Sequence, residues 1–163
     1  MSVRVYVSLG SNLDREAMIR VAVTALRRHF GKVTVSPVYD TVSVGFAGNN
    51  FLNLVVGLDT DLGLESVMGI FREIEDRLGR DRSLPRYGNR LIDLDILTYG
   101  EFVIHEGRLR IPRPEILEQA YVLRPLRDIA GNESHPENGE TYQALWQRME
   151  NSATDLRPFS IDL

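Results

Sequence analysis

Acidic and apolar residues alternate in the segment Ile92-Asp93-Leu94-Asp95-Ile96. Residues i and i+2 of a β-strand project from the same face, so this pattern predicts that Asp93 and Asp95 lie side by side on a strand over residues 91–99. Two carboxylates held together in apolar surroundings are unfavourable unless a cation lies between them. Mg²⁺ prefers oxygen ligands and commonly shares its coordination shell with phosphate. The pair therefore indicates a site for a divalent cation that is bound to a phosphate group.

The stretch that precedes this strand is rich in arginine. Residues 80–90 contain four arginines and a single acidic residue, together with a glycine and a proline. The planar guanidinium group of arginine matches the oxygen atoms of a phosphate, so these side chains are suited to hold one. Carboxylates for a metal beside arginines for phosphate suggest phosphoryl-type transfer. Two simpler interpretations remain open: a solvated arginine loop, and an acidic sheet edge that pairs with nearby arginine.

The composition is typical of a soluble protein with one domain. The chain has 163 residues, of which 43% are hydrophobic and 26% charged, enough for a core of its own. The net charge of -4 argues against general affinity for nucleic acid or anionic membranes, and the lack of cysteine excludes disulfides and thiolate metal sites. The N-terminus carries no long apolar run. We therefore expect a single domain over residues 1–163 that is cytoplasmic and monomeric, without a nucleic-acid or membrane partner.

The spacing of apolar residues predicts an alternation of strands and helices. Strands are expected over residues 3–9, 33–39, 51–60 and 91–99, and a hairpin through Gly100 is expected to lead to a strand near residues 102–104. Helices are expected between Asn12 or Asp14 and Gly31, over 64–78, within 115–129 as one or two pieces, and over 141–149, followed by a loose tail in 150–163. Gly10 is expected to serve the turn after the first strand. This order favours an α+β sandwich, in which a mostly antiparallel sheet has helices on one side.

Short motifs along the chain, taken in order, resemble those of one enzyme family. The motifs are Ser8-Leu9-Gly10-Ser11-Asn12, Ser36-Pro37-Val38-Tyr39-Asp40-Thr41, Phe51-Leu52-Asn53, Ile74-Glu75, Leu78-Gly79-Arg80-Asp81-Arg82, Arg90-Leu91-Ile92-Asp93-Leu94-Asp95-Ile96-Leu97, Ile111-Pro112, Tyr121-Val122-Leu123 and Pro125-Leu126. Their order and spacing over residues 3–130 are similar to those of 6-hydroxymethyl-7,8-dihydropterin pyrophosphokinase. The resemblance implies a ferredoxin-like α+β sandwich. It also implies transfer of the β,γ-pyrophosphoryl group of ATP to the hydroxymethyl group of the pterin, with release of AMP, in folate biosynthesis.

The resemblance further implies which side chains form the site. Asp93 and Asp95 are expected to bind two Mg²⁺ ions that bridge the triphosphate of the co-substrate ATP. The implied catalytic set comprises Arg80, Arg82, Arg90, Asp93 and Asp95. The implied nucleotide-binding set comprises Glu75, Arg80, Arg82, Arg90, Ile96, Arg108 and Arg113. The implied pterin-binding set comprises Thr41, Val42, Val44, Phe51, Asn53, Tyr87 and Tyr121, with Phe51 and Tyr121 stacking on the ring and Asn53 pairing with its edge.

Other interpretations stay open at this point. Arg113 stands where the family usually has a histidine after Ile-Pro, although it keeps a cation that can meet a phosphate. Such departures leave room for a divergent paralogue that binds pterin or nucleotide with an altered substrate or little turnover. An RNA-binding module is a second alternative, because other domains of this architecture display arginine on the sheet. For Phe51 and Tyr121, the alternative is an ordinary position in the core.

Overall fold

The structure, a computed structural model, describes residues 2–41, 50–79, 91–152 and 156–163. The strands within these ranges are β1 (Val3–Ser11), β2 (Val33–Val35), β3 (Val38–Thr41), β4 (Phe51–Thr60), β5 (Asp93–Tyr99), β6 (Ile104–Glu106), β7 (Leu109–Ile111) and β8 (Leu156–Phe159). The helices are α1 (Arg15–Phe30), α2 (Leu64–Arg77), α3 (Glu115–Glu118), α4 (Ala120–Ala130) and α5 (Tyr142–Met149). The predicted strand over 51–60 and the helices over 64–78, 115–129 and 141–149 are confirmed to within one or two residues.

The main sheet is antiparallel and runs in the order β5-β1-β4-β3-β8, with β2 also pairing with β4. The long strand β1 lies between β4 and β5, and the register places Gly10 opposite both Asn53 and Asp93. Three chain segments that are far apart in sequence thus meet in one row across the sheet.

Helices cover both faces of this sheet, so the expectation that they lie on one side is wrong. Val5, Val7 and Leu9 of β1 belong to the core that α1 and α2 share with one face. Tyr6 projects from the other face into a second core, formed with α3, α4 and α5. The cause is that β1 is apolar at successive positions rather than only at alternate ones, which is the pattern of a strand buried on both faces.

Two other predicted elements differ in the structure. The strand predicted over 33–39 is divided at Ser36, whose hydroxyl accepts a hydrogen bond of 2.9 Å from the Val55 N–H, so β2 and β3 pair separately with β4. The hairpin predicted through Gly100 is wrong, because β6 pairs with β7 in a separate two-stranded sheet. Gly100 instead donates a backbone hydrogen bond of 2.8 Å to the carbonyl of Arg4.

The C-terminal segment is not a loose tail over its whole length. Strand β8 pairs with β3, with Val38 opposite Phe159. The guanidinium carbon of Arg15 lies 5.3 Å from the centre of the Phe159 ring, which ties α1 to this strand. The exposed hydrogen-bonding edge of β3 gives the segment its pairing partner, and no local sequence pattern signals that partner.

In the parts of the chain that the structure describes, no helix combines the length and the apolar character needed to cross a lipid bilayer.

Candidate active site

Asn53, Gly10 and Asp93 form a row across one end of the sheet, on the face that also contacts α4, and we call this row and the side chains beside it the trough. Its floor is Gly10, which lies between Asn53 of β4 and Asp93 of β5. Adjacent strands are about 4.8 Å apart, so Asn53 and Asp93 are separated by about 10 Å at the backbone. A Cβ atom at position 10 would lie 2.9 Å from Asn53 Oδ1 and 3.7 Å from Phe51 Cδ1. Gly10 therefore keeps the floor open inside β1, and its predicted role in a turn is wrong.

The β4 side of the trough carries a fixed amide and an aromatic ring. Asn53 is buried, and its Nδ2 donates a hydrogen bond of 2.5 Å to Thr41 Oγ1. Thr41 lies opposite Phe51 in the β3–β4 register, and the side chain of Phe51 is half-buried. Because cross-strand partners and alternate residues of a strand share a face, the side chains of Thr41, Phe51 and Asn53 lie together, and the strand period alone predicts this for Phe51 and Asn53. Val42, Val44 and Tyr87 lie outside the described residues.

The β5 side of the trough carries the two aspartates. Asp93 lies opposite Gly10 and Asp95 opposite Ser8, so both carboxylates project from the face of the trough. Both side chains are half-exposed, and 46% of the Asp95 side chain is accessible to solvent. The predicted placement of the pair on one strand face is confirmed.

This carboxylate pair fits a divalent cation that arrives with a phosphate. Among the residues that the structure describes, no cluster of three or more acidic, histidine or cysteine side chains could hold a metal by itself. Two half-exposed carboxylates leave most of the octahedral shell of Mg²⁺ to phosphate oxygens and water, which are the ligands that this ion usually retains. Asp93 and Asp95 are the residues that would hold it.

Two contacts anchor the edge of β5 that faces away from β1, along which no strand of the described residues pairs in the main sheet. Glu75 of α2 is buried, and its Oε2 accepts a hydrogen bond of 2.8 Å from the backbone N–H of Leu94. The backbone N–H of Arg113 donates a hydrogen bond of 2.9 Å to the carbonyl of Leu97. Glu75 thus holds the β5 backbone in place between the two aspartates, a role that the sequence does not reveal. Its predicted contact with the nucleotide stays a prediction.

Arg113 lies between two carboxylates beside the trough. Its Nη2 is 3.8 Å from Asp95 Oδ1, and its Nε donates a hydrogen bond of 2.6 Å to Glu115 Oε2. Burial lowers the pKa of Arg113, but the carboxylates of Asp95 and Glu115, together with Tyr121, raise it by more, so the net shift is upward. Arg113 is therefore a permanent cation at Asp95. Glu115 belongs to this site although no sequence motif pointed to it.

The other predicted residues lie in different surroundings. Tyr121 of α4 is half-buried at the margin of the second core. Arg108 is exposed in the turn between β6 and β7. The side chain of Ile96 is buried in the core with α1 and α2, on the face opposite Asp95, so it does not line the trough. Arg80, Arg82 and Arg90 lie outside the described residues, and their predicted contacts with phosphate stay predictions.

Residues 6–131 match the model of the 7,8-dihydro-6-hydroxymethylpterin-pyrophosphokinase family. The chain belongs to this family. The prediction made from the motifs is confirmed, since the match extends over the strands that carry the trough and over Arg113 and Tyr121. Members of this family use ATP as the co-substrate.

Individual relatives agree with the family assignment. The 2-amino-4-hydroxy-6-hydroxymethyldihydropteridine pyrophosphokinase of Pseudomonas aeruginosa is 40% identical over 131 residues, which are 78% of this chain and 80% of the relative. The enzyme of the same name from Bacillus subtilis is 38% identical over 128 residues, 76% of each chain. The folic acid synthesis protein fol1 of Pneumocystis carinii is 35% identical over 157 residues, which are 94% of this chain but 21% of that longer protein.

Solved structures confirm the fold. The wild-type HPPK-DHPS protein of Plasmodium falciparum superposes with a TM-score of 0.74 at 16% sequence identity. The superposition covers 93% of this chain and 46% of that one, so this chain spans about half of its structural relative. The predicted ferredoxin-like α+β sandwich, a mostly antiparallel sheet with helices packed on it, is therefore confirmed.

Proposed function

We propose that this protein transfers the β,γ-pyrophosphoryl group of ATP to the hydroxymethyl oxygen of 6-hydroxymethyl-7,8-dihydropterin and releases AMP, as a step of folate biosynthesis. The observation that carries the proposal is the row Asn53–Gly10–Asp93 across three strands. This row sets an amide suited to a heterocycle about 10 Å from a carboxylate pair suited to a metal-bound phosphate. A substrate that joins a flat ring to a reacting oxygen can span that distance.

The β4 side would bind the pterin ring. Asn53 both donates and accepts hydrogen bonds, and its bond to Thr41 fixes the plane of the amide before the ring arrives. A fixed amide loses little conformational entropy on binding, which favours affinity and orientation. Phe51 lies on the same strand face and offers an aromatic surface for stacking, with Tyr121 of α4 as its proposed counterpart across the ring.

The β5 side would bind the triphosphate. We assign Asp93 and Asp95 as ligands of two Mg²⁺ ions, as the resemblance to the family implies. When bound, these ions neutralise negative charge on the polyphosphate and on the departing AMP oxygen. Glu75 keeps the backbone between the two carboxylates in place, and Arg113 adds a cation beside Asp95. The arginines at positions 80, 82 and 90 are proposed to clamp the phosphates from the chain segment before β5.

A single copy of the chain supplies every described residue of the trough, from β1, β3, β4, β5 and α4. We therefore propose that the protein acts as a monomer on small molecules, in the cytoplasm, without a nucleic-acid partner. Size-exclusion chromatography with light scattering at the assay concentration tests this. Activity that appears only in a dimer peak would contradict the proposal.

The function is tested by incubating the protein with Mg-ATP and 6-hydroxymethyl-7,8-dihydropterin and separating the nucleotide products. AMP formed in equal amount with a pterin diphosphate is the expected result. ADP as the product would indicate ordinary kinase chemistry. Binding of both substrates without turnover would favour the divergent paralogue.

The variant Asp95→Asn tests whether the carboxylate pair takes part in the reaction. We expect it to reduce AMP formation by at least about 100-fold, because charge stabilisation at the reacting phosphate is lost. Asp59→Asn is the matched control, since Asp59 is an exposed aspartate of the same sheet that pairs with Arg4 at the opposite end of β1. Circular dichroism should show an unchanged fold for both variants. An Asp95→Asn protein with normal turnover would overturn the assigned role.

A further inference from the structure

Three charged side chains beside the trough form a bridge in the order Glu115–Arg113–Asp95. The Arg113 guanidinium donates to Glu115 Oε2 over 2.6 Å and lies 3.8 Å from Asp95 Oδ1. The Arg113 and Glu115 side chains are 29% and 27% exposed, so both are largely withdrawn from solvent. One guanidinium therefore lies between two carboxylates and makes the closer contact with Glu115.

The backbone fixes where this guanidinium can reach. The Arg113 N–H is bonded to the Leu97 carbonyl, and Ile111, two residues earlier, is completely buried. Glu115 begins α3, immediately after Pro114. With its backbone docked on the edge of β5, Arg113 can shift its head group between Glu115 and Asp95 only by rotation of its own side chain.

We propose that Arg113 is a built-in counter-ion of Asp95 that competes with the divalent cation, and that Glu115 is a positioning residue that draws Arg113 away from Asp95. This inference rests on the proposed function, because it takes Asp93 and Asp95 as the cation site. A guanidinium close to a carboxylate repels a second cation at the same oxygen. The shorter contact with Glu115 weakens this competition without removing it.

The bridge couples the cation to the nucleotide. A triphosphate that enters the trough offers Arg113 a third anion besides Glu115 and Asp95, so the guanidinium can leave Asp95 when nucleotide and metal arrive together. The bare metal ion brings no such anion and must displace Arg113 unaided. Arg113 thus weakens the binding of the metal ion alone and favours the binding of the metal–nucleotide complex. This difference is a thermodynamic coupling between the two ligands.

The test measures Mn²⁺ binding without nucleotide, by electron paramagnetic resonance, in the wild type, Arg113→Gln, Glu115→Gln and the double variant. We expect Arg113→Gln to bind Mn²⁺ about two- to five-fold more tightly and Glu115→Gln about two- to five-fold more weakly, the range of partly exposed ion pairs. Glu115→Gln should have no further effect in the Arg113→Gln background. With a non-hydrolysable ATP analogue present, Arg113→Gln should no longer bind Mn²⁺ more tightly than the wild type.

Two further variants separate this role from a structural one. Arg4→Gln removes an equivalent ion pair, 3.0 Å from Arg4 Nε to Asp59 Oδ1, at the other end of β1, and should leave Mn²⁺ affinity unchanged. Arg113→Lys keeps the positive charge and should bind Mn²⁺ about as the wild type does. If the bridge merely fastened α3 to the sheet, its loss would lower the melting temperature of both single variants. The two variants would then show no opposite changes in Mn²⁺ affinity. If Arg113→Gln fails to fold, Arg113→Met is measured in its place.

Unchanged or weaker Mn²⁺ binding in Arg113→Gln would show that Arg113 does not compete with the cation for Asp95. Additive effects in the double variant would overturn the role of Glu115 as a positioning residue, since its charge would then act directly on the metal. AMP formation by the wild type is measured separately, so the inference can fail while the proposed function stands. Mn²⁺ binding to the wild type that Asp95→Asn leaves intact would overturn the inference together with the assigned cation site.

Discussion

The carboxylate of Glu75 accepts a hydrogen bond of 2.8 Å from the backbone N–H of Leu94, the residue between Asp93 and Asp95. Among the strands that the structure describes, β5 is at the edge of the main sheet, so its outward N–H groups face no partner strand there. A buried side chain of α2 therefore takes the place of a neighbouring strand at the point where the two aspartates must be held. The geometry of the proposed cation site depends on a helix that packs on the opposite face of the sheet.

Glu75→Ala should lower the free energy of unfolding by about 1–3 kcal/mol, because the Leu94 N–H then lies buried without an acceptor. Glu75→Gln keeps an acceptor oxygen at this position, so its free energy of unfolding should fall by less. Urea denaturation monitored by fluorescence measures both. Glu73→Ala on the same helix is the control, since the Glu73 side chain is 45% exposed and forms an ion pair with Arg77 on the surface of α2. Equal stability of Glu75→Ala and the wild type would contradict this account.

Gly10→Ala should impair pterin binding more than nucleotide binding. The added methyl group would lie 2.9 Å from Asn53 Oδ1 and must displace the amide. We expect pterin affinity to fall about tenfold, the equivalent of one lost hydrogen bond. Isothermal titration with pterin and with an ATP analogue provides the comparison.

Gly69→Ala is the control for this substitution. Gly69 is an exposed residue of α2, and an added Cβ would meet no atom within 4 Å. It should stabilise the protein by up to about 1 kcal/mol, because alanine favours a helix over glycine. Normal pterin affinity in Gly10→Ala would show that the close approach at Gly10 does not hold Asn53 in place.

His135 should make stability depend on pH. Burial lowers its pKa from the ordinary 6.5, and its Nδ1 accepts hydrogen bonds of 3.2 Å and 2.9 Å from the N–H groups of Glu137 and Asn138. The unfolded chain therefore binds the proton more readily than the folded one. This contribution to stability is complete above pH 6.5 and is lost as the pH falls from 6.5 through the lower pKa of the folded state.

His135→Asn keeps an acceptor oxygen but cannot titrate, so it should flatten the change in unfolding free energy between about pH 7.5 and about pH 5.5. The same change at His29, which is exposed on α1, serves as the control. Urea denaturation of the wild type and of both variants at the two pH values measures these three changes. A pH dependence in His135→Asn as steep as in the wild type would assign the effect to other groups.

Phe159→Ala should weaken the attachment of β8. The ring is half-buried against the first core and lies under the guanidinium of Arg15, so its removal should lower the unfolding free energy by about 1–2 kcal/mol. Arg157→Ala, an exposed position on the same strand, should change it by less than about 0.5 kcal/mol. Equal effects of the two substitutions would mean that the side chain of Phe159 does not secure the strand.

The sequence by itself determined the features that depend on neighbouring residues. Alternation over 92–96 predicted that Asp93 and Asp95 share a strand face, and the apolar run 51–60 gave the bounds of β4, because strand and helix periods are local properties of the chain. The ordered motifs identified the family, and with it the fold. These inferences needed no knowledge of which segments lie next to one another.

Only the tertiary structure decided which distant residues meet. The register of β1 with β4 and β5 placed Gly10 between Asn53 and Asp93. Docking of α2 brought Glu75 to Leu94, and docking of the segment before α3 brought Arg113 to Asp95. The pairing of β8 with β3 and the helices on both faces of the sheet likewise depend on long-range packing. Strand register and helix docking are set by the combined burial of many side chains, and the period of one segment cannot specify its partner.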